Sequence, residues 1–447
     1  MLERETFTEG NITSQIVRFA WPVFLAGMFS ELYNVTNSAI VGNYVSVHAL
    51  SVVSACTWIC NIYLYTFYGL GMGAGILITS YVGAGDERGL KEALDTAIVF
   101  SVAGGIVLTA VSELALPLLM DLCNISRDLY ADAELYLRVY LLGNAAVLSY
   151  QMCGFIMRSF GDSKHPLYYL MLSSVINVAL GLVFVRVLGL GAPGTALATI
   201  ISQFVVDVLS LRLLLSIDGL TFDFRDVAFS WDKVARICEL GIPAGIQNLL
   251  IALSGLLVQS YVNMFPNEFI SGIGVAEKIA AWGQHPSSAI STSTMLLVGQ
   301  NCGARHYKRA QESVHTSLVL AVTTTVVYVG AIMWWAPQIV GLFTPNEAMR
   351  ICGTQMLRYL MPSFVLIAVS HVLNAACRAA GNVTMPMVIA VAAQCVVKYA
   401  FVRIGLAVIW DVHVLYLGSA VGFCCAGVFA ALYFFAGRWT KEHGLRA

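Results

Sequence analysis

Residues 158–166 read Arg-Ser-Phe-Gly-Asp-Ser-Lys-His-Pro, and residues 378–386 read Arg-Ala-Ala-Gly-Asn-Val-Thr-Met-Pro. Arginine, glycine and proline therefore recur in the same order and with the same spacing, so that Arg158 corresponds to Arg378. Further pairs keep this offset or come within one residue of it: Gly83-Ala84 with Gly303-Ala304, Arg138 with Arg358, and Pro22 with Pro243. One offset shared by several separate positions indicates an internal duplication, so the chain is predicted to consist of two related halves.

The composition indicates that both halves lie in a membrane. Charged residues make up 11% of the 447-residue chain, whereas soluble domains carry about 25%. Hydrophobic residues make up 58%, and the mean hydropathy is +0.76. A bilayer-spanning helix needs about 20 apolar residues, so this length holds roughly a dozen spans and no large catalytic domain outside the membrane. We therefore predict an all-α membrane protein.

Apolar stretches between polar breaks predict twelve transmembrane helices, six in each half. They lie at residues 14–42, 48–82, 91–119, 131–158, 165–188, 192–215, 235–264, 270–301, 310–336, 348–379, 385–409 and 413–437. The longest polar stretch follows the sixth helix, so we predict an N-lobe at 1–215, a cytoplasmic linker at 216–234 and a C-lobe at 235–447. Because six is an even number, both lobes have the same orientation and are expected to be related by a pseudo-two-fold axis along the membrane normal.

The distribution of lysine and arginine predicts the topology. With the N-terminus inside, the inner segments hold seventeen of these residues and the outer segments six. Both termini are therefore expected in the cytoplasm of a multi-pass plasma-membrane protein. The net charge of −1 provides no attraction to nucleic acid, and the eleven cysteines lack zinc-site spacing, so we expect no metal centre. A substrate cleft between two lobes lies within one chain, so we expect a monomer in the lipid bilayer.

Corresponding places in the two halves carry recognisable motifs. These are Pro22, Tyr33-Asn34 and Ile40-Val41-Gly42 in helix 1, Gly83-Ala84-Gly85-Asp86 after helix 2, Gly241-Ile-Pro243-Ala-Gly245-Ile-Gln247 in helix 7, Gly299-Gln300-Asn301-Cys-Gly303-Ala304 at the end of helix 8, and the two nine-residue segments quoted above. In this order, the set resembles the multidrug and toxic compound extrusion (MATE) transporters over essentially the whole chain. The resemblance implies a two-lobed exporter that moves amphipathic, often cationic compounds outward in exchange for protons or sodium ions.

One branch of this family has a cation site in the N-lobe that is only partly present in this chain. The resemblance places it at Asn37, Asn177, Gly181 and Thr199, where Asn37 and Gly181 stand in place of aspartates. Ion coupling needs a membrane group whose charge changes on ion binding, usually a carboxylate. Glu31 is an acid in helix 1 and shares a helix face with Asn34. We therefore predict a cation-coupling site at Glu31, Asn34, Asn37, Asn177 and Thr199, with H+ favoured over Na+. A structural role for Glu31, and weak or absent coupling, are the alternatives.

Polar residues in the C-lobe helices are predicted to contact the substrate. They are Gln247, Gln259, Asn263, Glu277, Lys278, His371, Asn374 and Lys398. Among them, a pair between Glu277 and Lys398 is expected, because a lysine at membrane depth is costly unless it is paired or hydrated. Asp207, near the end of helix 6, is interpreted as a structural partner of Arg212 or of a basic residue in the linker.

The run Gly69-x-Gly71-x-Gly73-x-Gly75 is superficially similar to a phosphate-binding loop. A phosphate-binding loop has to follow a β-strand, whereas this run lies within a predicted membrane span and no strand precedes it. We therefore interpret it as a site of close helix packing.

The leading functional prediction is a secondary active exporter of amphipathic, cationic drugs or metabolites that works by alternating access. It needs no cofactor besides the coupling ion and has no enzymatic activity. An alternative is a flippase or exporter of an anionic or lipid-linked metabolite with weak or no cation coupling, which Lys278 and Lys398 would favour. An alternative of another class is an integral membrane transferase that uses His371, although the sequence places no second histidine, acid or metal cluster near it.

Overall fold

The computed structural model describes residues 6–44, 47–123, 125–217 and 227–437, and the side chains of all of these except 34–44, 47, 49, 50 and 122. This part of the chain is helical and contains no β-strand. The α-helices are α1 (Ile12–Tyr44), α2 (Val47–Ala84), α3 (Glu87–Leu122), α4 (Arg127–Leu142), α5 (Asn144–Ser159), α6 (Lys164–Leu182), α7 (Gly191–Leu214), α8 (Trp231–Val262), α9 (Asn267–Gly303), α10 (Tyr307–Gly341), α11 (Glu347–Leu360), α12 (Phe364–Ala379), α13 (Thr384–Val391), α14 (Lys398–Val408) and α15 (Val412–Phe435). The prediction of an all-α membrane protein is confirmed.

Each of the twelve predicted helices corresponds to one helix or to a helix with a local break. Within the described residues, ten spans are long and apolar enough to cross a membrane, and α4 with α5 adds an eleventh, bent by 46° at Gly143. The α11–α12 span is interrupted by a 3-10 turn at Met361–Ser363, which includes the position that corresponds to Gly143 in the repeat. The remaining long helix is α9, whose 37 residues are too polar to be counted with the others.

The two nine-residue segments fold into the same turn. Gly161 has φ +86° and Gly381 has φ +90°, a left-handed conformation that glycine adopts without steric cost. The Gly161 N–H donates to the Arg158 carbonyl at 3.0 Å, and the Gly381 N–H donates to the Arg378 carbonyl at 2.9 Å. The repeat seen in the sequence is therefore present in the backbone.

The described helices pack into two compact units. Among the described residues, unit 1 contains residue 6 and those of 25–217 and 227–245, and unit 2 contains those of 7–24 and 246–437, so α1 and α8 each contribute to both units. The predicted lobe boundaries at 215 and 235 divide the chain by sequence order. In the structure, however, the first part of α1 packs in unit 2 and the first part of α8 packs in unit 1.

In unit 2, polar side chains hold the segment that leads into α1. The Phe7 N–H donates to Gln300 Oε1 at 2.8 Å, and Asn301 Nδ2 donates to the Phe7 carbonyl at 3.2 Å. Arg309 Nη2 donates to the carbonyl of Gly10 at 2.9 Å. These bonds satisfy backbone groups that would otherwise lose their partners on burial, so they fix the start of α1 on α9 and α10.

In unit 1, α3 holds the segment that leads into α8 in a similar manner. The Ala228 N–H donates to Asp95 Oδ2 at 3.1 Å, and the Ser230 N–H donates to Thr96 Oγ1 at 3.1 Å. Lys233 then lies 4.3 Å from the ring centre of Tyr81 on α2 and 3.8 Å from a Glu92 carboxylate oxygen on α3. The acid Asp95 is thus used to anchor a chain connection.

The glycine run of α2 packs against α8 within unit 1. A Cβ on Gly69 would lie 2.6 Å from the Gly241 carbonyl oxygen, and a Cβ on Gly73 would lie 2.7 Å from the Gly241 nitrogen. On the other face, a Cβ on Gly71 would lie 2.8 Å from the Phe155 ring of α5. Glycine is needed here because the backbones are too close for a side chain, which confirms the helix-packing interpretation.

Candidate functional site

A partly buried hydrogen-bonded cluster in unit 1 joins three helices. The Tyr33 hydroxyl of α1 donates to Asn177 Oδ1 of α6 at 2.7 Å, and Asn177 Nδ2 donates to Thr199 Oγ1 of α7 at 3.0 Å. Thr199 in turn donates to the carbonyl of Thr195 at 3.0 Å. The structure therefore brings together Asn177 and Thr199, two of the predicted coupling residues, and their role in coupling stays a prediction.

Tyr33 was missed as a site residue by the sequence reasoning, although it is part of a motif in helix 1. Glu31, two residues earlier on α1, is half-buried. The side chains of Asn34 and Asn37 lie outside the described residues, so the predicted contacts of Glu31 with these amides are not described.

Gly181 lies one turn after Asn177 on α6 and is buried, yet it has space beside it. A Cβ built on Gly181 would meet no described atom within 4 Å, other than its chain neighbours and nearby helix backbone. Residues four apart share a helix face, so a side chain at this position would lie beside Asn177. Among the described residues, no atom therefore occupies the space that the carboxylate implied by the family resemblance would fill.

Two further acids of unit 1 differ in their surroundings. Glu113 on α3 accepts a 3.1 Å bond from Arg138 on α4, which also binds Glu134 at 2.8 Å, so Glu113 is explained as part of an ion-pair network. Asp207 on α7 is 5% exposed. Neither Arg212 nor any other described lysine or arginine forms an ion pair with it within 4.0 Å. The predicted pair with Arg212 is therefore not formed, whereas the linker residue Arg225, which the prediction also allowed, lies outside the described residues.

In unit 2, one face of α12 carries a row of polar side chains at helical spacing. Ser287 Oγ of α9 lies 3.2 Å from His371 Nδ1, and Asn374 Nδ2 donates to Ser370 Oγ at 3.0 Å. One turn further, Arg378 Nη2 donates to Gln247 Oε1 of α8 at 2.7 Å. Arg378 is a neighbour of the predicted site that was treated only as a marker of the repeat.

The other predicted substrate residues are more widely distributed. Gln259 Nε2 donates to Asn263 Oδ1 at 2.9 Å near the end of α8, so these two amides bind each other. Glu277 and Lys278 are both exposed on α9. Glu277 and Lys398 are near enough to interact electrostatically, but their charged atoms are not within the 4.0 Å of a direct ion pair. The direct pair predicted between them is not formed.

Unit 2 also contains an apolar cavity of about 250 Å³. Its walls come from α1, α9 and α10 and are lined by Ile16, Val17, Ala20, Trp21, Phe24, Pro286, Ala289, Ile290, Leu320 and Thr324. No lining residue carries a charge, so this cavity accommodates hydrocarbon.

Membrane-spanning helices arranged as a duplication, with polar and ionisable side chains at membrane depth, are typical of membrane transporters. The MatE family model matches residues 22–183 and again residues 243–403. The two matches start at Pro22 and Pro243, which correspond in the repeat. They end at residues 183 and 403, which are as far apart as Arg158 and Arg378, so the matches follow the repeat. The chain belongs to the MatE family, as the motifs predicted.

Relatives and solved structures match nearly the whole chain. The probable multidrug resistance protein YpnP of Bacillus subtilis (strain 168) is 26% identical over 433 residues, with 97% of each chain covered. The probable multidrug resistance protein NorM of Thermotoga maritima is 21% identical over 445 residues, with 96% of this chain and 94% of that protein covered. An outward-facing multidrug resistance MATE family transporter of the MOP superfamily has the same fold, with a TM-score of 0.90 at 21% identity over 98% of both chains.

A MOP superfamily transporter from Pyrococcus furiosus Vc1, described as having a binding pocket of reverse polarity, also shares the fold. Its TM-score is 0.88 at 21% identity, and 97% of both chains is covered. At this identity the likeness establishes the fold alone.

Proposed function

We propose that this protein is an antiporter that exports amphipathic, cationic organic compounds from the cytoplasm, driven by proton entry. The observation that carries the proposal is membership of the MatE family in both halves, together with relatives named as multidrug resistance proteins over nearly their full length. The apolar cavity of unit 2 supports an amphipathic substrate, because its uncharged walls suit the hydrocarbon part of such a molecule.

Coupling is proposed to require Glu31 on α1, close in sequence to the Tyr33–Asn177–Thr199 cluster. A carboxylate can take up and release a proton, whereas an amide or a hydroxyl neither gains nor loses a proton near neutral pH. Glu31 is half-buried within a membrane-spanning helix, which is where a coupling carboxylate is needed. Asn34 and Asn37 are proposed to assist it.

The test is efflux of a fluorescent organic cation from proteoliposomes under an imposed pH or sodium gradient. Wild type is compared with Glu31→Gln, which keeps the shape of the side chain and removes its titration. Glu312→Gln is the matched control, because Glu312 is an exposed acid near the start of α10. We expect the pH gradient to drive efflux by wild type. This efflux is expected to be lost in Glu31→Gln and kept in Glu312→Gln.

Other outcomes separate the alternatives. Undiminished proton-driven efflux by Glu31→Gln would remove Glu31 from the coupling site. Efflux driven only by sodium would replace the proton as coupling ion. Failure to move the organic cation under any gradient, by a folded wild-type protein, would contradict the cationic substrate and favour an anionic or lipid-linked one.

A further inference from the structure

Unit 1 contains a buried acid, Asp207, whose described surroundings are polar and include no lysine or arginine within 4.0 Å. Asp207 on α7 is 5% exposed, and its Oδ1 atom has no hydrogen-bond partner among the described residues. Ser149 on α5 lies beside the carboxylate, but no described atom forms a hydrogen bond of 3.5 Å or less with its hydroxyl. Ser149 and Ser210 are both fully buried, and the Ser210 hydroxyl likewise has no partner there. Three buried polar side chains on two helices are therefore left with unused hydrogen-bonding capacity.

A ladder of polar contacts between α6 and α7 leads from the Tyr33–Asn177–Thr199 cluster towards this acid. Asn177 contacts Thr199 at 3.0 Å, and four residues along each helix Gln203 Nε2 donates to Ser173 Oγ at 3.5 Å. A further turn along α6, the Tyr169 hydroxyl donates to the Leu209 carbonyl at 3.4 Å.

Thr199, Gln203 and Asp207 are spaced four residues apart and therefore share one face of α7. Eight residues of helix correspond to about 12 Å, which is the length of this polar face from the cluster to the acid.

The groups around Asp207 determine what it can bind. The Cys153 thiol on α5 is a described titratable group that interacts with it, and the Tyr169 phenol on α6 binds the Leu209 carbonyl, two residues further along α7. Neither group supplies a positive charge at neutral pH. A carboxylate removed from water needs a neutralising partner, and no described lysine or arginine provides one within 4.0 Å. Among the described side chains, the Ser149 hydroxyl is the one beside the carboxylate, and a single uncharged hydroxyl suits a proton better than a metal cation that needs six or more oxygen ligands.

We propose that Asp207 is a proton-binding residue of unit 1, and that the α6–α7 ladder connects it with the Tyr33–Asn177–Thr199 cluster. In the binding step, a hydronium ion from the nearby end of α7 gives its proton to a carboxylate oxygen of Asp207. An O–H bond forms there and a neutral water molecule remains, and the reverse step releases the proton. The link to transport rests on the proton coupling proposed above.

The test is infrared difference spectroscopy of the protein in lipid bilayers, between alkaline and mildly acidic buffer. Subtracting the Asp207→Asn spectrum from that of wild type is expected to leave a carboxylic acid band that forms on acidification. Glu312→Gln, with its exposed acid, is expected to leave the Asp207 band intact. Ser149→Ala is expected to shift the band, because the neighbouring hydroxyl is lost.

Several results would overturn the assignment. A double difference spectrum without a carboxylic acid band would show that Asp207 does not titrate in this range. A spectral change caused by sodium at constant pH, and lost in Asp207→Asn, would replace the proton with sodium. If Asp207→Asn does not fold, as judged by gel filtration, Ser149→Ala decides alone, and an unshifted band there would contradict the site.

The ladder is tested by transport with Gln203→Leu, which removes the amide between the acid and the cluster. The expected result is an intact Asp207 band together with loss of proton-driven efflux of the organic cation. An intact band with full efflux would overturn the ladder. The infrared measurement requires no substrate, so the two proposals can fail separately. Failure of wild type to export the organic cation would contradict the proposed function. The carboxylic acid band would still decide whether Asp207 binds a proton.

Discussion

The hydroxyl of Tyr33 donates a 2.7 Å hydrogen bond to the side-chain oxygen of Asn177, which ties α1 to α6 within unit 1. Tyr33→Phe removes the donor and leaves a buried amide oxygen without its partner. We expect a loss of stability of about 1–3 kcal/mol, measured by thermal unfolding in detergent. Tyr168→Phe is the matched control, because Tyr168 is 56% exposed on α6, and it is expected to unfold like wild type.

A double-mutant cycle checks that the cluster acts as a unit. Asn177→Leu removes the amide that binds both Tyr33 and Thr199. Since Tyr33→Phe and Asn177→Leu remove the same bond, the double variant is expected to lose less stability than the sum of the two single losses, by about 0.5 kcal/mol or more. Strict additivity would contradict the contact.

The approach of α2 to α8 predicts a large difference between two glycine substitutions. Gly69→Ala places a methyl group 2.6 Å from the Gly241 carbonyl oxygen, so the helices have to separate. We expect overpacking to lower the free energy of unfolding by about 1–3 kcal/mol, measured as a lower unfolding temperature. The control is Gly154→Ala on α5, whose Cβ meets no described atom within 4 Å, and a neutral or small stabilising effect is expected there. Equal effects would contradict the close packing.

No described atom lies within 4 Å of a Cβ on Gly181, other than its chain neighbours and nearby helix backbone, so we expect that a carboxylate can be introduced there. Gly181→Ala is expected to unfold like wild type or at a slightly higher temperature, since glycine weakens a helix interior. Gly181→Asp is expected to fold and to make efflux more sensitive to the cation gradient, because it adds a charge one turn from Asn177. Folded Gly181→Asp protein with the gradient dependence of wild type would contradict this expectation.

The cap of α15 predicts a pH dependence of stability. Asp411 Oδ1 accepts bonds from the His413 N–H at 2.8 Å and from His413 Nδ1 at 2.6 Å. These hydrogen bonds lower the pKa of Asp411 below its usual value, and the bond from the backbone N–H has a larger effect than the bond from the ring. This contribution to stability is therefore complete above the unfolded-state pKa of about 4 and is lost as the pH falls through the lower folded-state pKa.

The measurement compares the unfolding temperatures of wild type and Asp411→Asn across the acidic range. The asparagine does not titrate, so the difference between the proteins isolates the charge of Asp411. We expect the largest difference near neutral pH, and a difference that shrinks in acid until it disappears. The effect is small because Asp411 is largely exposed, and a difference that grows in acid would contradict the assignment.

The candidate site was only partly predictable. Asn177 and Thr199 were selected through the family resemblance, and the structure joins them at 3.0 Å. Tyr33 was missed, because an aromatic residue in a helix carries no sequence signal for the neighbour that its hydroxyl binds. Arg378 was noticed only through the repeat, and its bond to Gln247 depends on two helices that are distant in the sequence.

The sequence by itself determined the helical membrane fold, the positions of the spans and the duplication. These follow from the transfer free energy of apolar segments and from a repeated pattern, both of which are local or additive along the chain. Only the tertiary structure decided that Glu113 has an arginine partner, that Asp207 has no described one, and that α1 and α8 each contribute to both units. The physical reason is that a buried charge or helix end is stabilised by whichever groups surround it, and those groups come from distant parts of the chain.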